Sequence, residues 1–90
     1  MGSYKVLLKR STAKEIEAID QKKARRQVVD KIEALASDPR PPGCEKLSGR
    51  LDRYRIRQGP YRILYEIKDE ELLIFVVKVA HRREAYRGAT

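Results

Sequence analysis

Six arginines and the chain's only histidine fall between Arg53 and Tyr86. Arg53, Arg55 and Arg57 occupy every second position, Arg62 follows a Gly-Pro break, and His81, Arg82 and Arg83 come just behind the apolar stretch LLIFVV. Guanidinium groups are planar, bidentate donors suited to phosphate. Like charges held opposite each other cost a sheet stability, so a cluster of this kind reads as a site that awaits an anion. The other reading is that long arginines fan into solvent while their stems cover apolar surface. On these residues by themselves the two readings stand level. His81 and Tyr86 add groups able to move protons, although a lone histidine is more often structural.

If the anion is RNA, the chemistry needs neither a metal nor a protein nucleophile. The substrate's own 2′-hydroxyl attacks the next phosphodiester, and the protein aligns it, stabilises the charged phosphorane and moves protons. Other chemistries find little support. There is no phosphate-cradling glycine loop, no His/Cys spacing for a metal, and no Ser or Cys nucleophile beside a histidine motif, so neither cofactor nor metal is expected. Glu66, Glu70, Glu71 and Glu84 read as solvated charges, and Lys14, Lys22, Lys23, Arg25 and Arg26 as a solvated helix face with a secondary use on nucleic acid.

Periodicity indicates the elements that must position these residues. YKVLLK, Tyr4 to Lys9, reads as a first strand. Ser11 or Thr12 then caps a short helix, with Glu15 completing a capping box and Ile16 and Ile19 on one face. Asp20 can cap a second helix in which Ala24, Val28, Ile32 and Leu35 recur at helical spacing, and the proline after Asp38 ends it by about Ser37 or Asp38. DPRPPGCEKLSGRLD is a connector without periodicity. From Arg53 the period becomes two: Tyr54, Ile56, Tyr61, Ile63, Tyr65 and Ile67 share one face, while Arg55, Arg57 and Arg62 take the other. LLIFVVKVA is apolar on both faces, as a central strand would be. The expected fold is α+β, with two helices on one face of a four-stranded, mainly antiparallel sheet in the order β-α-α-β-β-β and a short helical turn at the C-terminal end.

Size and charge set the remaining bounds. The 90 residues, 41% of them hydrophobic, fill one modest core, so a single domain over residues 1–90 is expected, with Gly2-Ser3 resembling a cloning scar. Lys and Arg number 21 against 13 Asp and Glu, a formal net charge of +8. That balance favours a polyanion or an acidic protein as partner. Cys44 is the lone cysteine, which excludes an internal disulfide and fits a reducing cytoplasm, and no apolar run is long enough to cross a bilayer, so no membrane association is expected.

Residues 46 to 87, KLSGRLDRYRIRQGPYRILYEIKDEELLIFVVKVAHRREAYR, carry a Lys-Leu-x-Gly loop, a strand leading through Gly-x-Tyr-Arg, and an apolar strand ending in His-Arg-Arg-x-x-Tyr. This pattern resembles the RelE side of the RelE/ParE toxin superfamily of bacterial toxin-antitoxin systems, over nearly the whole chain. The resemblance implies a ribosome-dependent mRNA endonuclease that cuts A-site codons, leaving 2′,3′-cyclic phosphate and 5′-hydroxyl ends. It implies Arg55 and Arg57 on the strand facing mRNA, Arg62 and Arg82 on phosphate, and Tyr86 stacking on or orienting the substrate, with His81 at a position often lysine or histidine. Arg53 and Arg83 would widen the RNA contact. Where relatives place a lysine base this chain has Arg57, and a guanidinium keeps its proton at any usable pH, so proton acceptance falls to His81 or Tyr86. The implied partners are an acidic, amphipathic cognate antitoxin, the ribosome and mRNA, with promoter DNA met only through the antitoxin complex. A ParE-like gyrase inhibitor on the same scaffold is the alternative function.

Overall fold

The computed structural model describes residues 3–47, 49 and 52–83. The elements run β1 (Lys5–Leu8), α1 (Arg10–Glu17), α2 (Lys22–Ala34), β2 (Glu45–Lys46), β3 (Arg53–Gln58), β4 (Tyr61–Lys68), a 3₁₀ turn at Asp69–Glu71, and β5 (Leu73–His81). They form one five-stranded sheet in the order β1-β5-β4-β3-β2.

Two features correct the sequence expectation of four mainly antiparallel strands. The connector contributes β2, whose Glu45 and Lys46 pair with Arg55 and Tyr54. A strand of two residues is too short to show alternation, so only its pairing with β3 reveals it. The second correction is β1, which lies parallel to β5 with Lys5 opposite Leu73 and Leu8 opposite Val76. A parallel neighbour requires a long crossover, and the two helices belong to the chain between β1 and the later strands.

The period-two segments form the strands they indicate, and their apolar face is the core. Ile63, Tyr65, Ile67, Ile74 and Val76 of β4 and β5 are fully buried, in one cluster with Ile16 and Ile19 from the α1 region and with Val28, Ile32 and Leu35 from α2 and its end. Fully burying an apolar side chain of this size contributes about 1.5–3 kcal/mol, so these residues fix which face of each strand looks inward. Gly59, with φ of 58°, opens the two-residue Gly59-Pro60 link between Gln58 and its partner Tyr61. That is the first central position of the link, where a two-residue hairpin of the II′ kind needs positive φ.

Helix α1 does not use the capping box that its sequence suggests. Lys9 is its N-cap residue, without a side-chain cap, and Gln21 rather than Asp20 precedes α2. Thr12 and Glu15 turn instead to the edge of β5 beyond the end of β1. The buried Thr12 hydroxyl donates to the Val76 carbonyl at 3.1 Å, and the Val79 N–H donates to Glu15 Oε1 at 2.8 Å. Lys78 Nζ reaches Glu15 Oε2 at 2.9 Å. The Val76 carbonyl also accepts the Lys9 N–H, so Thr12 adds a second donor there, while Glu15 satisfies a Val79 N–H at an otherwise open edge. They also brace a β-bulge: Tyr65 pairs with Val76 but Leu64 with Lys78, leaving Val77 as an extra residue.

At the far end of the sheet the proline-rich connector is clasped down. The Arg40 guanidinium binds Asp69 through two hydrogen bonds of 2.8 and 3.3 Å, donates to the Tyr54 hydroxyl at 3.1 Å, and lies 5.2 Å over the Tyr54 ring. Tyr4 donates to Asp69 at 2.7 Å and Tyr65 to the Pro39 carbonyl at 2.8 Å. Among the described residues no helix is long and apolar enough to cross a membrane.

Candidate functional site

The face of the sheet opposite the helices carries the arginines. Inward placement of Tyr54, Ile56 and Ile63 sends Arg53, Arg55 and Arg57 of β3 and Arg62 and Glu66 of β4 to the other side. Arg57 and Arg62 are direct cross-strand partners beside the hairpin link. Arg82 follows β5, and its N–H donates to the Pro60 carbonyl at 2.7 Å, tying the end of the last strand to the hairpin tip. Arg57, Arg62 and Arg82 thereby line a single cleft of about 410 Å³ with Gly59 and Pro60. Among the described residues none of the three forms an ion pair.

The flanking arginines differ. Arg53 pairs with Glu66, its direct cross-strand partner, and its buried Nε has no hydrogen-bond acceptor among the described residues. Arg55 pairs with Glu45 of β2 across the register. Glu45 is a site residue that the sequence reading did not single out, because it belongs to the connector and only the pairing of β2 with β3 brings it to this face. It lines a second depression of about 260 Å³ with Gly43, Arg55, Arg57 and Arg62. The two depressions share Arg57 and Arg62 and so form one track across the strands. The Glu45 carboxyl is held below its ordinary range, first by the Arg55 hydrogen bond, then by the charge of Arg55 and, more weakly, of Arg57 and Arg62.

His81 lies on the other side of the sheet. Its ring meets the Tyr61 ring edge-on at a centroid distance of 5.3 Å. It lines a separate cleft of about 670 Å³ with Glu15, Ile19, Ala24 and Val79. Its Nδ1 accepts the Arg83 N–H at 3.2 Å. The bulge at Val77 explains this placement. Strict alternation from the inward Ile74 and Val76 would send His81 to the arginine face, but the extra residue shifts the phase, so Val79 and His81 pair with the inward Ile63 and Tyr61. Arg82 and Arg83 begin in helical conformation and are exposed, while the rest of the expected C-terminal turn and Tyr86 lie outside the described residues.

With this geometry established, the chain can be compared with known proteins. Residues 6–86 match the family described as ParE toxin of type II toxin-antitoxin system, parDE. A RelE-like toxin protein of Escherichia coli is 32% identical over 84 residues, covering 91% of this chain and 86% of that one. Free E. coli RelE, solved as a double arginine-to-alanine variant, superposes with a TM-score of 0.75 at 27% identity, covering 94% of this chain and 92% of that one. The RelE–RelB complex of Pyrococcus horikoshii gives a TM-score of 0.76 at 25% identity, covering 89% of this chain and 96% of the matched one. The chain belongs to the ParE toxin family of type II toxin-antitoxin systems. Within that family it is a RelE-like toxin.

Proposed function

We propose that this toxin is a ribosome-dependent, metal-independent mRNA endonuclease that cleaves A-site codons by 2′-hydroxyl attack. The observation that carries this reading is the convergence of Arg57, Arg62 and Arg82 on one open cleft, none of the three held in an ion pair among the described residues. Three donors of fixed charge suit a phosphodiester whose charge grows as it becomes a phosphorane, and they require no proton movement of their own. Arg55 and Arg53 extend the basic strip along β3 for flanking phosphates, and Arg83 adds charge after β5. Tyr86 would orient the substrate. His81 faces the helix side, so a proton role for it requires its ring to leave Tyr61.

The exposed Lys14, Lys22, Lys23 and Arg26 of the helices add a second basic surface suited to ribosomal RNA. A cognate antitoxin is the proposed protein partner, supported by the likeness to the E. coli RelE–RelB complex, which has 27% identity to this chain and a TM-score of 0.75. An acidic wrapping segment complements the net charge of +8. Promoter DNA would be met only through that complex, and the cytoplasm is the compartment in which ribosomes are reached.

The ParE description of the matching family favours a second reading, gyrase inhibition on the same scaffold. One experiment separates the two. Purified protein is added to ribosomes holding a defined mRNA, with free mRNA as control, and ends are mapped by primer extension. Cuts within the A-site codon that need ribosomes support the nuclease. Intact mRNA, together with inhibited gyrase supercoiling, supports the alternative.

A further inference from the structure

We propose that Glu45 is the proton acceptor for the attacking 2′-hydroxyl, an assignment that rests on the nuclease reading above. Among the described residues the acceptor on the arginine face has to be a carboxylate, since guanidinium groups cannot supply one and the His81 ring is on the opposite side of the sheet. Glu45 is placed for the role by the pairing of β2 with β3. Its Oε1 accepts from Arg55, while among the described residues no donor reaches Oε2, and its side chain is 63% exposed. The other carboxylate on this face, Glu66, is engaged by Arg53 and only 22% exposed. The groups facing Glu45 are Arg55 and Arg57 from β3 and Arg62 from β4, all cations, so the carboxylate is ionised and available at neutral pH.

Position along the track strengthens the assignment. Glu45 closes one end, Arg82 the other, and Arg57 and Arg62 lie between them. In-line displacement puts the attacking and leaving oxygens on opposite faces of phosphorus, so a phosphodiester held by the central pair can turn its 2′-hydroxyl toward the carboxylate and its leaving oxygen toward Arg82. In the step, Glu45 Oε2 takes the proton of the 2′-hydroxyl as the O2′–P bond forms and the P–O5′ bond breaks. The departing 5′ oxygen takes a proton from water, and Glu45 returns its proton to solvent. The products are a 2′,3′-cyclic phosphate and a 5′-hydroxyl, with no oxidant, reductant or metal needed.

The test is single-turnover cleavage on mRNA-programmed ribosomes by the unaltered toxin and by Glu45→Gln, Glu45→Asp and Arg55→Gln, from mildly acidic to mildly basic pH. Glu45→Gln is expected to lower the rate about 100-fold or more, the usual range for losing a general base. It should also replace the flat pH profile expected of a carboxylate ionised throughout this range with a rate that climbs with hydroxide, while ribosome binding stays within twofold. Glu45→Asp should restore part of the rate together with the flat profile, and Arg55→Gln should keep the flat profile. A cleaving toxin whose Glu45→Gln variant is undiminished, or loses rate with an unchanged pH profile, overturns the assignment, because the carboxylate then serves only to hold Arg55. If the unaltered toxin leaves ribosome-bound mRNA intact, the nuclease reading falls and takes the assignment with it.

Discussion

Arg57 and Arg62 face each other across two antiparallel strands, and their repulsion should be measurable as stability withheld from the fold. Replacing either with methionine keeps most of the aliphatic stem and removes the charge. Opposed Cβ atoms lie about 4.5–5.5 Å apart, and splayed side chains would hold the two charges about 7 Å apart. Coulomb's law then gives about 0.6 kcal/mol in water and about 2.4 kcal/mol at the dielectric of a protein surface. Arg57 is exposed and Arg62 half-buried, which places the pair toward the lower figure. We expect Arg57→Met and Arg62→Met each to gain about 0.5–1 kcal/mol at low ionic strength, or about 2–8 °C in Tm for a domain of this size. The double variant should gain little beyond either single one, since the repulsion is removed only once. The assay is urea unfolding at low salt and again at about 1 M salt, where the screening length falls to about 3 Å and the gain should vanish. Loss of stability in both single variants, unchanged by salt, would refute the reasoning and make the two arginines structural. On the nuclease reading the same variants should lose about 100- to 1,000-fold in cleavage, so stability and activity would move in opposite directions.

Arg82→Ala is expected to abolish growth arrest in vivo while leaving the unfolding midpoint and antitoxin pull-down unchanged, because an exposed arginine contributes little to stability. Glu15→Ala removes the acceptor of the part-buried Val79 N–H and should cost about 1–3 kcal/mol, seen by urea unfolding together with faster hydrogen exchange at Val79. Acid unfolding carries a sign that can be worked out. Hydrogen bonds from Arg40 and then from Tyr4 hold the Asp69 carboxyl below its ordinary range. Its contribution is therefore complete above the unfolded-state value, about 3.9, and disappears as pH falls from there through the lower folded value. Asp69→Asn should flatten that acid limb of the stability curve and leave the slope at neutral pH unchanged.

Much of the sheet was legible because Tyr54 to Ile67 alternate so regularly that one face had to be arginine-rich. The same rule failed at His81, since a bulge leaves no mark in the periodicity of an all-apolar run such as LLIFVV. Thr12 and Glu15 have the spacing of a capping box, yet their polar groups serve a neighbouring strand, and only the tertiary arrangement decides between the two uses. Glu45 could not be placed because two paired residues inside a proline-rich connector carry no pattern. The arginine cleft was foreseen from residue type and strand parity, whereas the track joining it to a carboxylate depends on strand order.

Strand order also governs when the cleft can exist. β5 is last in sequence among the five strands yet lies between β1 and β4, so the first strand waits for a partner that begins 68 positions later, Lys5 meeting Leu73. Contacts so distant along the chain form late, after the intervening loop entropy has been overcome. Arg82 is tied to the hairpin tip from the end of that strand. A chain still emerging from the ribosome, with β3 and β4 already paired, would hold two of the three arginines and lack the third. The three-arginine cleft is thus completed last, once β5 has joined the sheet.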